Sequence, residues 1–137
     1  MKMKSVGGAA LMDLPMNTLS VLVVDDSQTM RSIVTQQLGN LGFSDIDMAV
    51  DGRTALDRLR ERQYALMISD WEMQPMGGEQ LIKSVRQDPK NIKLPVIMMT
   101  ATGTRGASWL AGADAYLAKP FTEADLHKAI KTVFGPR

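Results

Sequence analysis

Acidic, hydroxyl and amine side chains recur at one kind of place in this chain, directly after short apolar runs. The run Ser20 to Val24 leads into Asp25-Asp26, Ala65 to Ser69 into Asp70, Pro95 to Met99 into Thr100, and Ala115 to Ala118 into Lys119-Pro120. Taken singly, an aspartate after a strand is a turn former or a helix cap. Four apolar runs ending this way point instead to a shared site. Three carboxylates gathered in one crevice repel each other unless a cation neutralises them, and an all-oxygen cluster suits Mg²⁺, a hard ion that keeps several waters. A lysine beside them supplies a point charge for a phosphate, and a threonine hydroxyl can bond a phosphoryl oxygen.

Such a site needs a scaffold that delivers several strand ends to one edge. Three of the runs are almost continuously apolar, as strands buried on both faces are. Asp45 to Val50 alternates instead, with Ile46, Met48 and Val50 on one face, which predicts an edge strand. Between the runs, apolar residues recur at helical spacing: Met30, Ile33, Val34, Leu38 and Leu41; then Ala55, Leu56 and Leu59; then Leu81, Ile82 and Val85. The last helix opens with a capping-box pattern, Thr122 with Asp125, and carries Leu126, Ala129, Ile130, Val133 and Phe134 as one stripe up to Gly135-Pro136. Strands alternating with crossover helices predict an α/β fold, a doubly wound five-stranded parallel sheet covered on both faces, with right-handed crossovers. Functional residues in such sheets gather beyond the carboxyl ends of the strands, where the acidic residues already lie.

Composition narrows the classes of function. The chain has 137 residues, 45% hydrophobic and 23% charged, the length of one domain, which excludes a two-domain enzyme. Sixteen basic against fifteen acidic residues leave a formal charge of +1, so neither nucleic acid nor an anionic membrane is the expected partner. With no cysteine, thiol catalysis and cysteine zinc sites are excluded, and the single histidine, His127, excludes a multi-histidine metal site. The amino terminus outlines a secretory signal, but Val6 to Met12 contains two glycines and is closed by Asp13 and Pro15. Residues 1–19 are therefore expected to form a flexible tail ahead of a domain at 20–137, in a cytoplasmic protein with no membrane span.

The same residues resemble the receiver domain of two-component response regulators, and within it the single-domain chemotaxis type called CheY. The resemblance covers Ser20 to Phe134. It rests on VLVVDDS (21–27) with Thr29-Met30-Arg31, Gly42-Phe43, Ala49 to Gly52, ISDWEM (68–73) with Met76 and Gly78, Thr100-Ala101, GADAYLAKPF (112–121) and Leu126. It implies the strand order 2-1-3-4-5. Asp70 is then the phosphoacceptor, served by a histidine kinase or a histidine phosphotransfer protein. Asp25 and Asp26, with Asp70 and the main-chain carbonyl of Glu72, are the implied Mg²⁺ ligands. Thr100 and Lys119 would hold the phosphoryl oxygens, Tyr116 would move inward with Thr100, and Lys119-Pro120 would be cis.

These roles imply a stand-alone, monomeric signalling switch rather than an enzyme. Its downstream protein target would bind the face formed by the helix before strand five, that strand and the last helix. The alternative is a constitutive adaptor on the same fold, against which the complete set Asp25, Asp26, Asp70, Thr100 and Lys119 argues. A magnesium-dependent aspartyl phosphatase needs an aspartate two residues after its nucleophile on strand one, whereas Ser27 follows Asp25-Asp26. Met67, Met98 and Met99 read as core, and Arg53, Arg58, Arg60 and Arg62 with Asp57 and Glu61 as a solvated helix face. Trp71 reads as a shield over the pocket, His127 as exposed, and the GxxG match at Gly103 to Gly106 as a chance match. Three features depart from the family pattern: the loop reads EMQPMGG (72–78), Glu72 places a carboxylate beside the acceptor, and Thr100 and Tyr116 are closer together than usual. With Gly103, Gly106 and Gly112 between them, the helix before strand five is expected to be short or irregular.

Overall fold

β-Branched and long apolar side chains in unbroken runs favour strands that bury both faces, and three such runs form the middle of the sheet. The computed structural model describes residues 15–101 and 112–135. Its strands are β1 (Ser20–Val24), β2 (Asp45–Ala49), β3 (Leu66–Asp70), β4 (Val96–Thr100) and β5 (Ala115–Ala118), all parallel in the order β2-β1-β3-β4-β5. Every residue of β3 and β4 is buried. Among the described residues, four helices flank the sheet: α1 (Gln28–Asn40), α2 (Gly52–Glu61), α3 (Gly78–Gln87) and α4 (Glu123–Phe134).

Strand side chains alternate between two cores. Val21, Val23, Leu66, Ile68, Ile97 and Met99 pack with Val34 and Leu38 of α1 and with Leu126, Ile130 and Phe134 of α4. Leu22, Val24, Met67, Val96 and Met98 pack with Ala55 and Leu59 of α2 and with Leu81, Ile82 and Val85 of α3. Helix starts follow local chemistry. The Ser27 hydroxyl accepts the Met30 N–H, Asp51 accepts the Thr54 N–H, and Thr122 and Asp125 form the expected reciprocal capping box.

The structure moves several expected details. β3 and β4 each run one residue further than their apolar stretches, because the parallel ladder continues: Asp70 stands opposite Met99 and Thr100 opposite Ala118. β2 is an edge strand, but its apolar row is only half covered, with Met48 43% and Val50 48% exposed. Ile46 packs against the first core, while Val50 lies past the strand end. Arg62 is not part of a solvated helix face. It lies just past α2, pairs with Asp45 at 2.8 Å and Asp47 at 3.2 Å, and stacks 5.0 Å from the Tyr64 ring centre. Of the expected tail, Met16–Thr18 form a single 3₁₀ turn, Met16 packs against the first core and Leu19 is buried. Residues 1–14 lie outside the described residues, as do Trp109 and the GxxG stretch. So does most of the helix expected before β5.

Candidate functional site

Parallel pairing in this register brings the carboxyl ends of β1, β3, β4 and β5 to one edge. Asp25 leaves β1 while its N–H donates to the Ala49 carbonyl at 3.1 Å, so the turn stays pinned to β2. Asp70 closes β3 and Thr100 closes β4, and the Lys119 N–H donates to the Thr100 carbonyl at 2.8 Å as β5 ends. Lys119-Pro120 is cis, as is Gln74-Pro75. α3 starts hard against the end of β3. A Cβ on Gly78 would lie 2.7 Å from both the Asp70 carbonyl oxygen and the Trp71 Cα, so only glycine fits there.

One carboxylate oxygen each from Asp25, Asp26 and Asp70 lies within 4.8 Å of the others. Asp25 and Asp70 are buried and Asp26 is exposed. The Lys119 ammonium sits 3.0 Å from Asp70 Oδ1 and 3.4 Å from Asp25 Oδ2. Burial pushes the Asp70 carboxyl above the usual aspartate range and the Asp25 charge adds to this, outweighing the hydrogen bonds from Lys119 and from the Glu72 N–H. Burial alone would lower the Lys119 ammonium, but its bond to Asp70 and the charges of Asp70 and Asp25 raise it. The two directions are compatible. The lysine gains from two carboxylates, whereas the aspartate must share one lysine with a second buried carboxylate.

Thr100 is buried at the end of β4, and Tyr116, half-buried on β5, stands opposite Met98, so Tyr116 and Thr100 share one face of the sheet. Glu72 is exposed and, with Asp26, Trp71, Met73, Gln74 and Gln80, lines an open cleft of about 450 Å³ beside the carboxylates. A second cleft of about 390 Å³, lined by Arg53, Leu56, Pro75 and Met76, does not reach them. His127 is exposed, and Met67, Met98 and Met99 are core. Two polar anchors of the site carried little signal in the sequence. Ser27 donates its N–H to Asp25 Oδ1 at 2.9 Å, and Arg31 Nη1 donates to the Asp25 carbonyl at 2.6 Å; the latter had appeared only as one letter of a motif.

Comparison with known proteins gives the same reading. The response regulator receiver domain family matches residues 21–131. The chain belongs to that family. It is 39% identical over 119 residues to the chemotaxis protein CheY-3 of Vibrio cholerae, covering 85% of this chain and 92% of the relative. Among solved structures, the chemotaxis response regulator CheY4 of Vibrio cholerae superposes with a TM-score of 0.77 at 31% identity, over 84% of this chain and 98% of its own chain. The receiver domain of a sensor histidine kinase from Pseudomonas aeruginosa, with a magnesium ion coordinated in its active-site cleft, superposes with a TM-score of 0.79 at 25% identity. That match covers 86% of this chain and 98% of that receiver domain. This chain is thus a receiver domain of the CheY type, and two-component signalling is its setting. Among the described residues, no helix is long and apolar enough to cross a membrane.

Proposed function

We propose that this receiver domain takes a phosphoryl group onto Asp70 from the phosphohistidine of a histidine kinase or phosphotransfer protein. The observation that carries this reading is the meeting of a buried Asp70, an ammonium 3.0 Å from its Oδ1 and two further carboxylates at one sheet edge. Asp70 Oδ attacks phosphorus, an O–P bond forms, the P–N bond to the donor imidazole breaks, and the imidazole leaves with a proton. Transfer of this kind depends on positioning and on stabilising charge on the equatorial oxygens. Lys119 would hold one such oxygen, and the Thr100 hydroxyl would donate to another.

The donor set fits Mg²⁺, since every candidate group is oxygen and the exposed Asp26 leaves room for waters. Asp25, Asp26 and Asp70 would hold the ion with the Glu72 main-chain carbonyl. When bound, it neutralises the carboxylates and the charge of the incoming phosphoryl group. Without it, Lys119 faces both buried aspartates alone.

Phosphorylation would then shift a pre-existing equilibrium at Thr100 and Tyr116 and alter the face carrying β5 and α4 for a protein target. The domain acts as a monomeric, cytoplasmic signalling switch, in chemotaxis or a related pathway, and catalyses only its own phosphorylation and dephosphorylation. Acetyl phosphate with Mg²⁺ tests this. Intact mass should show one added phosphoryl group in the native chain and none in Asp70→Asn. Equal labelling of the two proteins would refute the assignment.

A further inference from the structure

Asp25 and Asp26 are joined by a peptide whose carbonyl, that of Asp25, accepts Nη1 of Arg31 at 2.6 Å, a short charge-assisted bond. Arg31 lies in the first turn of α1, and its own N–H donates to the Ser27 carbonyl at 3.0 Å. The rest of Asp25 is engaged as well: its N–H with Ala49 at 3.1 Å, Oδ1 with the Ser27 N–H at 2.9 Å, and Oδ2 with Lys119 at 3.4 Å. Ser27 is fixed in turn by capping α1 through Met30 at 3.2 Å. In this turn of residues 25–27, Asp26 is the exposed side chain. A carboxylate standing in solvent takes its aim from its Cα–Cβ bond, and the peptide planes on either side set that bond.

We infer that Arg31 is a positioning residue for the cation site: by holding the Asp25 carbonyl it fixes the peptide plane from which Asp26 projects, and so keeps the Asp26 carboxylate within reach of Asp25 and Asp70. The inference rests on the reading of this cluster as a Mg²⁺ site. It carries a sign that separates it from simple charge. A guanidinium on the Asp25 main chain, beside the cation site, opposes a second cation, so removing its charge alone would tighten Mg²⁺ binding. Removing a clamp on a ligand loosens binding instead, by about tenfold for groups that orient metal ligands.

The test titrates Mg²⁺ alone, at constant ionic strength, into the full chain carrying Trp109→Phe, so that Trp71 beside Asp26 reports binding. Arg31→Met should raise the dissociation constant about tenfold. Val34→Ala, which trims the core face of the same helix, should leave it unchanged at a temperature where circular dichroism shows both variants folded. If Arg31→Met does not fold, Arg31→Gln takes its place with the same expected result. Binding by the Arg31 variant as tight as the parent, or tighter, overturns the inference and leaves the Mg²⁺ reading standing. A parent that gives no saturable response, or an Asp26→Ala variant that binds like the parent, overturns both.

Discussion

Asp70 is held in the fold against its own charge. Burial, with Asp25 beside it, raises its folded-state value above the ordinary 3.8. Between those two values the native state binds more protons than the unfolded chain, so stability falls as pH rises through that window and stays lower at neutral pH. Lys119 has the opposite sign. Its raised value contributes stability across the neutral range, lost only as pH climbs through its folded value in alkali. Asp70→Asn removes the unfavourable charge, so the melting temperature of the metal-free protein at neutral pH should rise by a few degrees. The gain should vanish below the ordinary aspartate range. Thermal denaturation in a chelator checks both, and a lower melting temperature at neutral pH would contradict the account. If Asp70 is the acceptor as proposed, its function opposes stability here.

At the scale of elements, the start of α3 lies against the end of β3, where Asp70 sits. With no room for a Cβ at Gly78, Gly78→Ala must push α3 away from the Asp70 carbonyl and the Trp71 Cα, and the added atom also crowds the Met98 sulfur at 3.0 Å. The expected cost is about 1–3 kcal/mol by chemical denaturation, with slower phosphorylation by acetyl phosphate; an unchanged midpoint and rate would show that the contact relaxes freely. The strands and helix faces could be read from the chain because they rest on local pattern: unbroken apolar runs in β1, β3 and β4, and the apolar stripe of α4. Asp25, Asp26, Asp70, Thr100 and Lys119 were legible because each closes such a run. Arg62 and Arg31 were not. Their partners are set by tertiary placement, with Arg62 reaching 17 residues back to Asp45 and Arg31 bonding a main-chain carbonyl that no side-chain pattern marks. The exposure of Met48 and Val50 escaped for a related reason, since alternation shows which side chains share a face and not how far a neighbouring helix covers it.

Asp25 and Lys119 are 94 residues apart in the chain, so the site forms only when the whole sheet has formed. A cation that binds this assembled edge binds the native state and not the unfolded one, and must stabilise it. Mg²⁺ at ten times its dissociation constant should add about 1.4 kcal/mol, read as a rise in the denaturation midpoint. Asp26→Ala should abolish the rise, and a midpoint insensitive to Mg²⁺ in the native chain would count against a cation site. The central claim is that the phosphoryl group resides on Asp70, and it can be tested at the level of the bond. Phosphorylation with acetyl phosphate and Mg²⁺, reduction of the acyl phosphate with borohydride, and peptide mapping by mass spectrometry convert the acceptor aspartate into homoserine. The account predicts homoserine at position 70 alone; homoserine at position 25 or 26, or none in a chain that has gained a phosphoryl group, would contradict it.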